Sequence, residues 1–304
     1  MQKVLAIVGP TASSKTEISI RVAEKLNGEI ISADSRLVYN DFNIGTAKPS
    51  KEEMGGITHH MVDVASPESD FSVGLYQSQV QKIIQDVCSR GKTPIIAGGT
   101  GLYIRSVLEG LDMPKVEADE EYRKELNSFA RAYGREALHS KLREIDPESA
   151  ENIHMNNVVR VVRALEVCKV SGKKFSEQRL IKTPQYDVIY AGLNSEDRDY
   201  LYDRINRRVD IMLETGLVAE VDGLIKKYGK TLSLLKTLGY KEISEYLDGE
   251  VPLDTAVERI KKNTRNFAKR QLTWFRANPD INWYNIDKMQ KEEIIEEIVK
   301  LYNV

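Results

Sequence analysis

Two hydrophobic periods alternate over the first hundred residues. Short β-rich runs at Val4–Val8, Glu29–Ala33, His60–Val64 and Thr93–Ala97 read as strands. Between them, Lys15–Leu26 and Val73–Arg90 carry apolar residues at helical spacing. That alternation predicts βα units and a mostly parallel sheet. After Gly110 the β-branched runs stop, and Ala118–Leu180 reads as helices only, with turns at Asp146-Pro147 and Ser171-Gly172. A strand pattern returns at Asp187–Leu193, behind Thr183-Pro184. The remainder is helical at Tyr200–Lys227 and Leu253–Ala277, and Asn278-Pro279 stops the second stretch. The expected fold class is α/β, with a core of residues 1–114 and 186–304 and an all-helical insertion at 115–185.

Composition narrows the function classes. The chain has 304 residues, enough for two domains or for one with a large insertion. No run approaches the ~20 apolar residues that a membrane-spanning helix needs. Met1-Gln2-Lys3 leads straight into the first apolar run, so a leader segment is not expected. Cys88 and Cys168 are too few for a disulfide framework and fit buried thiols in a reducing cytosol, giving a cytoplasmic expectation. With 44 basic against 46 acidic residues, the chain does not read as a protein that coats any polyanion. The charge is nevertheless uneven. Glu258–Arg276 holds seven bases against Glu258 alone, and Arg160–Lys182 holds seven against Glu166 and Glu177. Acid clusters at Glu117–Glu125 and Glu292–Glu297 compensate. Both basic stretches suit phosphate-backbone contact, and both equally suit a solvated outer helix face. On the longer one, Ile260, Thr264, Phe267, Gln271, Trp274 and Phe275 gather on one helical face.

The chemistry begins at the first strand. Val4–Val8 runs into Gly9-Pro10-Thr11-Ala12-Ser13-Ser14-Lys15-Thr16 and then a helix. Strand, tight loop ending in Lys-Thr and helix start are the context of a phosphate-binding loop. There, backbone N–H groups and the helix N-terminus surround phosphate oxygens, and the Lys adds a point charge. Ser14 stands where the G-x-x-x-x-G-K-[ST] pattern has its second glycine. The Thr93–Gly98 strand ends in Gly98-Gly99-Thr100, with no acid in the position of a Walker B aspartate. Acids follow other strands, at Asp34 and Asp63, and Asp34 would share the carboxyl edge with Lys15. Hydrolase, small-molecule kinase, pyrophosphate-using transferase and an RNA-binding module with a relic loop all remain open on these residues. His59-His60 does not read as a metal pair, because neighbours in a strand point to opposite faces.

Eight blocks in order extend the reading: GPTASSKT at 9–16, ISADSRLVY at 31–39, NIGTAKP at 43–49, IIAGGTGLY at 95–103, RVVRALEV at 160–167, LYDRINRRVD at 201–210, LGYKE at 238–242 and TRNFAKRQLTWFR at 264–276. Together they resemble the tRNA dimethylallyltransferases, from Gly9 to about Trp274. The resemblance implies a P-loop NTPase-like core that holds a prenyl diphosphate in place of a nucleotide. It implies transfer of a dimethylallyl group from dimethylallyl diphosphate to N6 of the adenosine 3′-adjacent to the anticodon. The implied partner is a tRNA anticodon stem-loop, the implied cofactor Mg²⁺ held by Thr16, and the implied state a monomer away from membranes. With no late cysteine for a zinc finger, the chain looks like the bacterial form.

The same resemblance assigns residues. Asp34 would act on the adenine amine, with Thr11 and Arg208 as its companions in catalysis. Gly9, Pro10, Thr11, Ala12, Ser13, Ser14, Lys15 and Thr16 would hold the diphosphate. Asp34, Ser35, Arg36, Leu37, Thr100, Arg123, Arg160, Arg163 and Gly239, Tyr240 and Lys241 of the Lys236–Lys241 stretch would meet tRNA. Three structural alternatives stand beside these roles. Asp34 could cap a following turn, Arg208 could pair with Asp210 or Glu214, and Arg204, one turn earlier, could take the place of Arg208.

Overall fold

The computed structural model describes residues 1–111, 118–178 and 185–304. The expected junction at 114/115, the Thr183-Pro184 turn, Glu117 and the end of the Arg160–Lys182 stretch lie outside the described residues. The chain forms two compact units, Met1–Glu109 with Pro184–Val304, and Gly110–Thr183.

The first unit runs β1 (Gln2–Val8), α1 (Lys15–Lys25), β2 (Gly28–Ala33), β3 (His59–His60), α2 (Val73–Ser89), β4 (Thr93–Gly98) and α3 (Gly101–Leu108). The second unit holds α4 (Glu120–Ile145, bent at Gly134), α5 (Pro147–Asn152) and α6 (Val158–Ser171). The first unit resumes with β5 (Tyr186–Asn194), α7 (Arg198–Glu214), α8 (Leu217–Tyr228), α9 (Tyr240–Leu247), α10 (Leu253–Arg276), β6 (Ile281–Asn285) and α11 (Lys291–Asn303). Among the described residues, no helix is long and apolar enough to cross a membrane.

Six strands form one sheet in the order β3-β2-β4-β1-β5-β6, and every pair is parallel. The chain is thus an α/β protein with a P-loop-like core. Val4 to Val8 of β1 are fully buried, since α1 and α11 cover one face of the sheet and α2 and α3 the other. Register fixes the functional edge. Val8 lies opposite both Gly98 and Gly192, and Ala33 lies opposite Gly98, so β1, β2 and β4 end level while β5 runs on to Asn194. A further apolar cluster, built from Val38, Phe42, Val209, Leu217, Leu235, Tyr240 and Ile260, ties the segment after β2 to α7–α10.

At the opposite, amino edge of the sheet, Glu29 is 2 % exposed and ringed by cations. Its carboxylate accepts two bonds from Arg90, at 2.5 and 2.8 Å, and one from Lys92 at 2.8 Å. His60 Nε2 lies 2.8 Å away, whereas His59 Nδ1 donates to the Ile57 carbonyl. The two histidines thus serve different partners.

In the second unit, Leu126, Leu138, Leu142, Val161 and Leu165 build a separate core. Buried Glu166 accepts from the Asp119 amide and pairs with Arg123 and Arg163. Burial alone would raise the Glu166 carboxyl, but the bonds from Arg163 and Arg123 bring it below its ordinary value.

Three sequence expectations are corrected. The strand read at His60–Val64 is only His59–His60, because Met61 (φ 63) and Asp63 (φ 53) take left-handed backbone that no strand can continue through. Tyr200–Lys227 is two helices, divided where Gly216 takes a φ of 103. On α10, the apolar face is narrower than its periodicity implies. Ile260, Ala268, Gln271 and Phe275 are buried, while Phe267 and Trp274 are 36 % and 43 % exposed.

Candidate active site at the carboxyl edge of the sheet

The loop after β1 is fixed from within. Gly9 approaches β5 so closely that a Cβ would lie 2.3 Å from the Leu193 carbonyl oxygen. The Pro10 carbonyl then accepts from Ser13 Oγ at 2.8 Å and from Lys15 Nζ at 2.5 Å. Ala12 and Ser14 both take positive φ, 64 and 61, and Ser14 caps α1, whose first residue is Lys15. Alternating backbone of this kind gathers N–H groups into a concavity, and the helix N-terminus adds its partial positive charge.

A cleft of about 620 Å³ opens beside this loop. Thr11, Lys15 and Thr16 line it, as do Asp34 to Leu37, Thr100, Arg208 and Gly239, Tyr240 and Lys241. Gly9, Pro10, Ala12, Ser13 and Ser14 are absent from the lining and support it from behind. Apolar side chains from α7 and α10, including Ile205, Val209, Met212, Ile260 and Phe267, complete the wall.

The cleft brings the cations of Lys15 and Arg208 together with one carboxylate, Asp34. Burial, and then the nearby guanidinium of Arg208, bring Lys15 down to about 7, against an upward pull from Asp34. Burial also lowers Arg208, again opposed by Asp34. Arg208 reaches Thr11 Oγ1 at 3.4 Å and forms no ion pair with Asp210 or Glu214; Lys261 holds Asp210 instead. Asp34 Oδ1 accepts from the Arg36 amide at 2.8 Å, so the turn-capping role is real. Its other oxygen has no hydrogen-bond donor among the described residues and shares the cleft with Lys15 and Arg208. Thr100 Oγ1 accepts from the Ser35 amide at 3.1 Å, and a Cβ at Gly98 would lie 2.3 Å from the Ala33 carbonyl oxygen. The ends of β2 and β4 are therefore locked together.

The other expected residues fall into two groups. Tyr240 lines the cleft but is 1 % exposed, and its hydroxyl donates to Glu220 at 2.7 Å, which braces the 43–47 loop. Lys241 and Lys236 are exposed. Arg123, Arg160 and Arg163 belong to the second unit, where Arg160 is exposed while the other two are paired with Glu166.

A family model described as IPP transferase matches residues 37–278. A tRNA dimethylallyltransferase of Caldanaerobacter subterraneus is 46 % identical over 305 residues, which cover 99 % of this chain and 97 % of that protein. The chain belongs to the IPP transferase family. Two solved structures agree. A full-length tRNA isopentenylpyrophosphate transferase from Bacillus halodurans is 42 % identical with a TM-score of 0.73, each chain fully covered. A eukaryotic dimethylallyltransferase described as acting on tRNA is 28 % identical with a TM-score of 0.85, over all of this chain and 79 % of the other.

In this IPP transferase several supporting residues take roles that sequence reasoning did not assign. Arg204 does not face the cleft as a rival of Arg208. It grips the loop, donating to the Ala12 carbonyl at 2.8 Å and to Ser14 Oγ at 2.6 Å. Glu220 accepts from the amides of Asn43, Ile44 and Gly45, so one carboxylate holds the whole turn of the NIGTAKP block. Glu242 does the same for Gly239 while accepting from Asn263. Gln271 bonds two loops at once, and its signal was visible: a polar residue on the apolar face of α10. Among the described residues, no cluster of three or more His, Cys, Asp or Glu could hold a metal ion.

Proposed function

We propose that this IPP transferase moves a dimethylallyl group from dimethylallyl diphosphate to N6 of the adenosine 3′-adjacent to a tRNA anticodon. The observation that carries the reading is the cleft itself. It joins a Lys-Thr loop, an aspartate with one oxygen that has no donor among the described residues, and an apolar wall at a single sheet edge.

The adenine amine is a weak nucleophile, because its lone pair is delocalised into the ring. As the N6–C bond forms, the allylic C–O bond breaks and diphosphate leaves. Asp34 accepts the proton that the amine sheds, which removes the charge that would otherwise remain on nitrogen. Negative charge grows on the departing diphosphate, and Lys15, Arg208 and the Thr11 hydroxyl, which line the cleft, would meet it. Ile205, Val209 and Met212 offer the prenyl tail a dry wall. The adenosine must leave its stack to enter, at a cost of a few kcal/mol that is smallest in a loop.

The chain's residues fit Mg²⁺. Thr16 is exposed at the cleft, and few protein ligands suit an ion that keeps water and phosphate oxygens in its shell. When bound beside Thr16, the ion would supply further charge neutralisation to the diphosphate. Exposed Lys236, Lys241, Lys262 and Lys269, with Arg160 of the second unit, would contact tRNA phosphates. The protein would act as a cytoplasmic monomer. A thermal-shift comparison tests the donor: dimethylallyl diphosphate with Mg²⁺ should raise the melting temperature, and ATP should not. Stabilisation by ATP alone would point to a kinase.

A further inference from the structure

We propose that Gln271 is a positioning residue that sets the diphosphate loop in register with the Asp34 side of the site. The proposal rests on the prenyl-transfer reading and adds to it the part that aligns donor and acceptor. Gln271 is 7 % exposed and stands on α10, a 24-residue helix that belongs to neither loop. Its Oε1 accepts from the Thr11 amide at 2.9 Å, and its Nε2 donates to the Gly99 carbonyl at 3.0 Å. Both ends of one planar amide are thereby spent, and each fixes the other. The fit is tight, since a Cβ at Gly99 would lie 2.2 Å from Gln271 Nε2.

From Gly99 the connection continues to the acceptor side. The next residue, Thr100, donates its amide to the Ala33 carbonyl at 3.0 Å and accepts from the Ser35 amide at 3.1 Å. Asp34 lies between those two anchored residues. The bond path therefore runs from Thr11, beside the diphosphate loop, through Gln271, Gly99 and Thr100 to the backbone on either side of Asp34. Thr11 also loses its backbone N–H to Gln271, so only its hydroxyl is left to face a diphosphate. Displacements on the order of 1 Å between reacting groups can cost about 10²-fold in rate, without loss of binding on either side.

The test compares wild type with Gln271→Met, which nearly conserves volume but forms neither bond. Single-turnover rates are measured at saturating dimethylallyl diphosphate and tRNA, KM is measured for each substrate, and melting temperatures confirm folding at the assay temperature. The expected result is a rate about 10²-fold lower, with both KM values within about threefold of wild type. Combining Gln271→Met with Thr100→Val should cost less than the product of the two single effects, because both act on one connection. Should the methionine variant fail to fold, Gln271→Glu keeps the Thr11 bond and loses the Gly99 bond, and its saturated rate should be at least about tenfold down. A Gln271→Met rate within threefold of wild type, or a loss carried wholly by KM, would overturn the positioning role alone. Absence of prenyl transfer by the wild-type protein would instead overturn the reading beneath it.

Discussion

Arg204 donates to the Ser14 hydroxyl at 2.6 Å, at the loop position where a glycine would offer nothing to hold. Ser14 takes a φ of 61 there, a conformation that costs a non-glycine residue about 1–2 kcal/mol. A hydrogen bond from a charged donor contributes roughly 1.5–3 kcal/mol. The two effects are of similar size, which explains how serine is accommodated. Ser14→Gly should therefore change stability by less than about 1 kcal/mol. Arg204→Ala, which also strips the Ala12 carbonyl, should raise KM for dimethylallyl diphosphate about tenfold, equivalent to about 1.4 kcal/mol. A double-mutant cycle between the two, read by urea denaturation, should give a coupling energy of about 1–2 kcal/mol.

Asp34 has two jobs, and one substitution separates them. In Asp34→Asn the amide oxygen can still accept from the Arg36 N–H, so the turn survives, but no carboxylate remains to take a proton. Turnover should fall about 10²–10⁴-fold, with tRNA affinity within about threefold of wild type. Near-normal turnover in this variant would reduce Asp34 to a turn cap. Filter binding alongside steady-state kinetics gives both readouts.

Lys15 gives the binding step a pH dependence. Its pKa of about 7 in the free protein means that the amine is largely neutral at pH 8. A bound diphosphate favours the charged form and raises that pKa, so binding above pH 7 takes up a proton. Affinity should weaken as pH rises from about 7, by up to about tenfold per unit. Calorimetry at pH 8 in buffers of different ionisation enthalpy should report this uptake.

The order of elements was legible because strands buried on both faces leave near-continuous apolar runs, and the GPTASSKT loop sits directly after the first of them. What stayed hidden was set by contacts distant in sequence. The two-residue β3 ends on left-handed backbone at Met61, which no hydrophobic pattern reports. Trp274 has helical spacing suited to the core, yet it lies over Gly101 with the Arg105 guanidinium 5.6 Å from its ring. Lys15, Asp34 and Arg208, singled out through the phosphate-loop pattern and the family resemblance, do line one cleft. Arg204 and Gln271 lie inside the quoted blocks, but their roles, like that of Glu220, are set by backbone groups 192, 260 and 176 residues away, which no local pattern reports.

Glu29 gives the core a stability that depends on acid. Hydrogen bonds from Arg90, and then from Lys92 and His60, hold its carboxyl well below the usual carboxylate range despite its burial. A folded-state pKa below the unfolded value contributes stability above the ordinary 4.5 and loses it as pH falls further. Glu29→Gln should cost about 2–3 kcal/mol at pH 7, read from urea midpoints. The gap to wild type should narrow toward pH 3.

Transfer itself is the most direct measurement of the activity. The protein is incubated with labelled dimethylallyl diphosphate, Mg²⁺ and unmodified bulk tRNA, the tRNA is digested, and the nucleosides are separated. Label is expected on N6-dimethylallyl adenosine, with diphosphate released in equal amount and loss of both in Asp34→Asn. Label absent from adenosine, while the donor is bound and tRNA is intact, would contradict the proposed transfer.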